Sequence, residues 1–240
     1  MSGLHAQLRL HVPDVDVSID VSAGDTLALL GRNGSGKSTI LNLIAGLADP
    51  DSGEIDIGGR RVFGSGTTVP PHLRGAVLLT QQPLLFPHLS VHKNVGFGPA
   101  ARGLPRAEVS RRVDQWLERV DAGAFADRKP AELSGGQAAR VALARALAAD
   151  PEIVLLDEPF AALDVDVADR MRILLRQLLA EQTCILVTHD LADAAALADT
   201  AAVIEAGRVV DHGPARTVLT QPCNEFIERL GAPRVLPDGY

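Results

Sequence analysis

The sequence predicts an α/β fold: a parallel sheet core, an antiparallel β portion ahead of it, and a helical segment interrupting it. Three observations lead there. Short apolar runs at Thr26–Leu30, Ile153–Leu156 and Cys184–Val187 alternate with helical patterns, as buried parallel strands do. Residues 14–21 alternate strictly, with Val15, Val17, Ile19 and Val21 on one face and Asp14, Asp16, Ser18 and Asp20 on the other. That is the mark of a half-exposed strand in an antiparallel sheet. Between residues 87 and 149 the periodicity is helical.

The elements follow in order. Thr26–Leu30 ends at Gly31, a Gly-rich loop follows, and Ile40, Leu41, Leu43 and Ile44 fall at helical spacing. Residues 64–71 (Gly, Ser, Thr, Pro) read as a loop, and residues 99–105, with proline at both ends, as a break. Val109, Val113, Trp116, Leu117 and Val120 form a helical stripe over residues 106–120. Ala138–Ala149 is an Ala- and Leu-rich helix stopped by Asp150-Pro151. Neither an internal repeat nor a low-complexity tract is apparent.

Composition narrows the function. The 240 residues are 46% apolar and 22% charged, an ordinary globular balance, but only 3% aromatic, so the core must be aliphatic. A net charge of −7 argues against a general nucleic-acid binder, which needs a basic face. Of the two cysteines, Cys184 lies in an apolar run and reads as a buried thiol. With Cys223 it forms no disulfide framework and no zinc-ligand spacing. Met1–Asp20 is polar and alternating, so no signal peptide is expected, and no run reaches 18 apolar residues. The expectation is a cytoplasmic chain that meets a membrane only through a partner.

Gly31-Arg32-Asn33-Gly34-Ser35-Gly36-Lys37-Ser38-Thr39 fits G-x-x-x-x-G-K-[ST] between a strand and a helix. Glycines let backbone N–H groups turn inward around a phosphate, and the helix N-terminus adds positive potential. Lys37 reaches the β- and γ-phosphates of a nucleotide, and the Ser38 hydroxyl holds Mg²⁺. Downstream, the strand Ile153–Leu156 ends in Asp157-Glu158. Asp157 suits the metal and Glu158 the attacking water, as a general base at the carboxyl end of a core strand. Leu133-Ser134-Gly135-Gly136-Gln137 precedes the Ala-rich helix. It reads either as a capped helix start or as a second anion site, of use if two chains lend loops to each other's nucleotide.

On these motifs the chain resembles the ABC ATPase family from about Leu8 to Leu230. The resemblance implies a RecA-like P-loop NTPase core (about 1–86 and 150–230), an N-terminal antiparallel β subdomain and an inserted helical subdomain (about 87–149). It also implies ATP and Mg²⁺ as ligands, and a head-to-tail dimer holding two ATP molecules between Gly31–Thr39 of one copy and Ser134–Gln137 of the other. Gln81, six residues before Pro87, matches the glutamine that senses Mg²⁺ and water, in preference to Gln82. Ala162-Leu163-Asp164 matches the loop crossing the dimer interface, and His189 the histidine on the γ-phosphate. The implied catalytic set is Glu158, His189, Gln81 and Lys37, and the implied metal set Ser38, Gln81 and Asp157. Two features depart from the pattern: Ala138-Ala139 stand where polar residues are usual, and no aromatic precedes Phe63 to stack on adenine. His11 or Val12 is the expected substitute, with looser selectivity for ATP over GTP.

Residues 81–91, Gln-Gln-Pro-Leu-Leu-Phe-Pro-His-Leu-Ser-Val, resemble the segment of importer ATPases that receives a helix of a transmembrane permease. Read from the residues alone, Leu84, Leu85 and Phe86 are either an exposed socket or packing beneath the helical lobe. Abbreviated N-terminal strands and the Leu-Leu-Phe-Pro-His segment look most like molybdate importer ATPases, with sulfate, ferric iron and thiamine importers next. A solute-binding protein is then an indirect partner, and the inner face of the cell membrane the expected location. A soluble non-transport ABC ATPase is the alternative. Many importer ATPases carry a further C-terminal β domain, which the sequence ending at Tyr240 does not include.

Overall fold

A computed structural model describes residues 2–161 and 163–221. Strands β1 (Ser2–Leu10) and β2 (Val15–Ser22) form an antiparallel hairpin in which Leu4, Ala6 and Leu8 stand opposite Val21, Ile19 and Val17. All six are buried, so a one-residue slip would turn each of them outward, which fixes the register. These strands, expected to be short, run nine and eight residues. β3 (Thr26–Leu30) is buried along its whole length and joins a different sheet. After the Gly-rich loop comes α1 (Lys37–Ala45).

β4 (Ser52–Ile57), β5 (Arg60–Gly64) and the two-residue β6 (Thr67–Thr68) complete the first sheet, in the order β2-β1-β4-β5-β6. Part of the loop expected at residues 64–71 is therefore strand, because Phe63 and Gly64 pair with Thr68 and Thr67 across a tight turn. The second sheet adds β7 (Ala76–Leu79), β8 (Ile153–Asp157), β9 (Cys184–Val187), β10 (Thr200–Glu205) and β11 (Arg208–Pro214), in the order β11-β10-β3-β9-β8-β7. It is parallel apart from the β10–β11 pair.

Helix α1 lies between the two sheets. Ile40, Leu41, Leu43 and Ile44 are fully buried against Leu27, Leu29, Ile153, Leu155, Ile185 and Val187, and against the inward face of the antiparallel sheet. Nine residues are too few for a stable isolated helix. Burial of four large side chains, at about 1.5–3 kcal/mol each, holds it instead. The loop at its N-terminus is thereby anchored to the core.

Between β7 and β8 the chain forms α2 (Val91–Val95), α3 (Phe97–Ala101), α4 (Arg106–Arg119) and α5 (Gly135–Ala148). Val91, Val95, Val113, Leu117, Val141 and Ala148 give them an apolar core of their own. α5 also turns Leu143 and Leu147 toward Val154, Leu156 and Leu186 of the parallel sheet. The break expected from Pro99 is displaced. Pro99 sits in the first turn of α3, where an N–H has no helical partner to lose, and the chain breaks over residues 102–105 instead. α5 starts at Gly135 rather than Ala138 because Ser134 caps it. α6 (Val165–Leu178), α7 (Leu191–Leu197) and α8 (Ala215–Thr220) cover the remaining face of the sheet. Cys184 is buried, which pushes its thiol well above the usual range; Cys223 lies outside the described residues. No helix among the described residues is long and apolar enough to cross a membrane.

Candidate active site

The loop from Gly31 to Thr39 is shaped by close backbone approach. Gly31 has φ 152°, and a Cβ there would lie 2.3 Å from the carbonyl oxygen of Ile204, so no side chain fits. Lys37, the first residue of α1, is only 5% exposed. Its Nζ donates to the carbonyls of Gly31 and Arg32, both at 2.8 Å, which folds the ammonium back over the loop. Burial lowers its pKa, opposed by the nearby charges of Glu158 and Asp157. The Ser35 hydroxyl is buried in the same loop without a hydrogen-bond partner.

β8 delivers the two carboxylates. Burial raises the pKa of Asp157, while the Ser38 hydroxyl hydrogen-bonded to it and the charge of Lys37 pull the other way. Ser38, Asp157 and the amide of Gln81 form an all-oxygen donor set with a single carboxylate. Such a set fits Mg²⁺, which keeps several waters and binds through few protein oxygens. Glu158 adopts φ 49°, a left-handed conformation that costs a non-glycine residue about 1–2 kcal/mol. Its N–H donates to the Val187 carbonyl at 2.9 Å, locking the turn onto β9. His189, two residues beyond β9, brings Nδ1 to 3.2 Å from a Glu158 carboxylate oxygen.

Lys37, Ser38, Gln81, Asp157 and Glu158 share a cleft of about 600 Å³ with Asn33 and Gly34, among others. That is within the range of small-molecule sites. His189 is not on its wall and lines a second cavity together with Glu158. Gln81 lines the cleft and Gln82 does not. Gly31, Arg32 and Ser35 shape the loop without forming the cleft wall. Neither candidate for the adenine position lines it either: Val12 is 86% exposed, and His11 points its Nδ1 at Asp51, 2.5 Å away. Their neighbour Pro13 does, from the turn between β1 and β2. The sequence carries no signal for Pro13 here, because a proline in a turn has a sufficient local explanation.

Ser134–Gln137 and Asp164 do not reach the cleft wall. Ser134 and Gln137 form a reciprocal capping box, with the Gln137 N–H donating to Ser134 Oγ and the Ser134 N–H to Gln137 Oε1. A Cβ on Gly136 would lie 2.8 Å from Val167 of α6, which brings this loop against the helix that Asp164 begins. Asp164 is exposed, and Ala162 lies outside the described residues.

The segment after Gln81 divides residue by residue. Leu84 is 63% exposed and has φ 41°. Leu85 and Phe86, for which the sequence left both readings open, are half-buried: Leu85 packs on the helical core, and Phe86 against Phe97 at 4.6 Å between centroids. Asn94, fully buried, accepts from the Phe86 N–H and donates to the carbonyls of Phe86, Leu89 and Ser90. Arg145 of α5 donates to the carbonyls of Leu84 and Pro83 and lies over the Phe86 ring at 5.2 Å.

A glycine loop opening a helix on a parallel sheet, facing an acidic pair at the end of another core strand, defines the P-loop nucleoside triphosphatases as a class. Within that class, residues 15–161 match the ABC transporter family, and the chain belongs to it. It is 48% identical to the molybdenum import ATP-binding protein ModC of Mycobacterium tuberculosis, over 97% of this chain and 67% of that protein. It is also 48% identical to the sulfate/thiosulfate import ATP-binding protein CysA of Mycobacterium bovis, over 88% of this chain and 60% of that protein. A spermidine/putrescine import ATP-binding protein, PotA of Acidothermus cellulolyticus, is 44% identical over 88% of this chain and 55% of that protein. The solved structure of cbiO1 from Clostridium perfringens, part of the ABC transporter complex cbiONQ, superposes with a TM-score of 0.81. It is 29% identical, with 92% of this chain and 91% of that one covered. The protein is an ABC-type ATPase.

Proposed function

We propose that this ATPase is the motor subunit of an ABC importer for molybdate or a similar oxyanion. One observation carries the catalytic part: Glu158, on the cleft that holds Lys37 and Asp157, meets His189 from the end of the adjacent strand at 3.2 Å. In this reading Gly31–Thr39 wraps the phosphates, and Lys37 faces the β- and γ-phosphates. Mg²⁺ bound by Ser38, Asp157 and Gln81 supplies charge neutralisation on the phosphate oxygens. Glu158 accepts a proton from the attacking water, and His189 orients Glu158 while contacting the γ-phosphate. Ser134–Gln137 and Asp164, away from the cleft and with Ser134, Gly135 and Asp164 exposed, serve the nucleotide of a second copy in a head-to-tail dimer. Residues 1–86 and 150–230 act as the core and 87–149 as the helical subdomain; residues 222–230 lie outside the described range.

Leu84, exposed at the edge of the segment 84–91, is the contact offered to a transmembrane permease, which carries the subunit on the inner face of the membrane and links it indirectly to a solute-binding protein. Nucleic acid has no role. Molybdate is favoured because the ModC match extends over 97% of this chain and the CysA match, at equal identity, over 88%. Sulfate is therefore the second reading. Deleting the gene and measuring molybdate and sulfate uptake separately tests the assignment. Loss of molybdate uptake alone supports it, and loss of sulfate uptake alone overturns it.

A further inference from the structure

Behind the Glu158–His189 pair lies a charged network that the chemistry above leaves unused. Arg172 of α6 donates from Nε to Asp193 of α7 at 2.5 Å, from Nη1 to Asp169 at 2.5 Å and from Nη2 to Asp190 at 3.4 Å. Its guanidinium carbon sits 5.5 Å from the ring centre of Phe160. Asp193 is 4% exposed, and its second oxygen accepts from the Thr188 hydroxyl at 2.9 Å. Thr188 Oγ1 in turn accepts from the N–H of Asp190 at 3.0 Å.

The arrangement is asymmetric about His189. Both of its chain neighbours are tied down, Thr188 to Asp193 and Asp190 to Thr188 and Arg172, while the imidazole stays more than half exposed. On the other side Phe160, two residues after Glu158, is held under the same guanidinium. Arg172 thus touches both peptide segments that carry the reacting pair. Arg172, Asp193 and Thr188 line a cavity of about 330 Å³ with Glu158 and His189, so the network borders the site rather than the far core.

We propose that Arg172 and Asp193 are positioning residues for His189, fixing the backbone on both sides of it so that its ring meets Glu158. This rests on the catalytic reading of His189 given above. An ordinary interhelical ion pair would need neither the Thr188 hydroxyl nor the stacking on Phe160, because Asp169 alone already neutralises Arg172. Asp193 spends burial on a contact whose far end is the β9 exit.

Steady-state ATPase kinetics on single and double variants test it. Asp193→Ala is expected to lower kcat about 10- to 100-fold, as misplacement by about 1 Å does, with KM for ATP changed less than about twofold. Asp193→Asn, which keeps an acceptor for Thr188, is expected to recover part of that loss. In a His189→Ala background, Asp193→Ala is expected to cost nothing more, because both changes remove the same function. An equal further loss in that background would overturn the proposal and leave Asp193 a stabilising residue only. Normal kcat in Asp193→Ala, beside a crippled His189→Ala, overturns it as well. Normal kcat in His189→Ala overturns the reading of His189 itself, and the positioning role with it. Should Asp193→Ala not fold, Arg172→Lys, which keeps the charge and loses the fork, runs the same cycle with the same outcomes.

Discussion

Leu84 and Leu85 are adjacent, alike in chemistry, and opposed in environment, so one substitution at each separates partner surface from packing. Leu84 is 63% exposed and its φ of 41° is left-handed, a region where aspartate is tolerated better than leucine. Leu84→Asp forfeits about a third of one leucine's burial, roughly 0.5–1 kcal/mol, and recovers part of it as backbone relief. Leu85 packs against the helical core, so Leu85→Asp loses apolar contact and half-buries a carboxylate, about 2–4 kcal/mol together. At about 2–4 °C per kcal/mol for a chain of this size, Leu85→Asp should melt about 4–16 °C lower and Leu84→Asp within about 2 °C of the parent. Thermal melting of the purified variants, followed by ATPase assay and pull-down with the permease, reads all three properties. Leu84→Asp is expected to keep its ATPase and lose the permease. Equal melting losses at both positions would refute the division, and retained permease binding by Leu84→Asp would remove the socket.

Two further outcomes follow from the cleft. Burial raises the pKa of Asp157 above its ordinary 3.8, so the folded state holds that proton more tightly than the unfolded chain. Ionisation then costs stability, a penalty absent below the unfolded value and complete above the folded one. The nucleotide-free Asp157→Asn variant should therefore melt higher than the parent at pH 7, by a margin that closes as pH falls toward 3.8, while losing Mg²⁺-dependent hydrolysis. In mixed dimers, Ser134→Arg on one subunit and Lys37→Ala on the other place both lesions in one composite site. Part of the activity should survive in that heterodimer and none in either homodimer; a fully active Ser134→Arg homodimer rules out shared sites.

Much of the fold was legible because its signals are local. The five-residue apolar run of β3, the four-residue run of β9 and the alternation of β2 each coincide with their strands to within a residue. The start of α5 is hidden in the sequence because capping by Ser134 admits two glycines into the first turn, against their poor helix propensity. Pro99 misled in the opposite way, since proline breaks a helix only beyond its first turn. Leu85 and Phe86 could not be placed from sequence, because their burial depends on Phe97, Asn94 and Arg145, residues from three helices. Likewise Arg172 and Asp193, 21 positions apart, look like two ordinary helix charges until the chain is folded. The phosphate loop and the acidic pair were legible because that chemistry demands fixed spacing within a few residues.

The central claim is that Glu158 acts on the attacking water and is not needed to hold the nucleotide. Glu158→Gln keeps the size and hydrogen-bonding reach of the side chain and removes its basicity. Measured together on that variant, equilibrium ATP binding and single-turnover hydrolysis give the decisive comparison. The account predicts a Kd for ATP near that of the parent, a hydrolysis rate lower by about 10²-fold or more, and accumulation of an ATP-bound dimer on size exclusion. Hydrolysis at a near-parental rate, or loss of ATP binding in place of turnover, would contradict it.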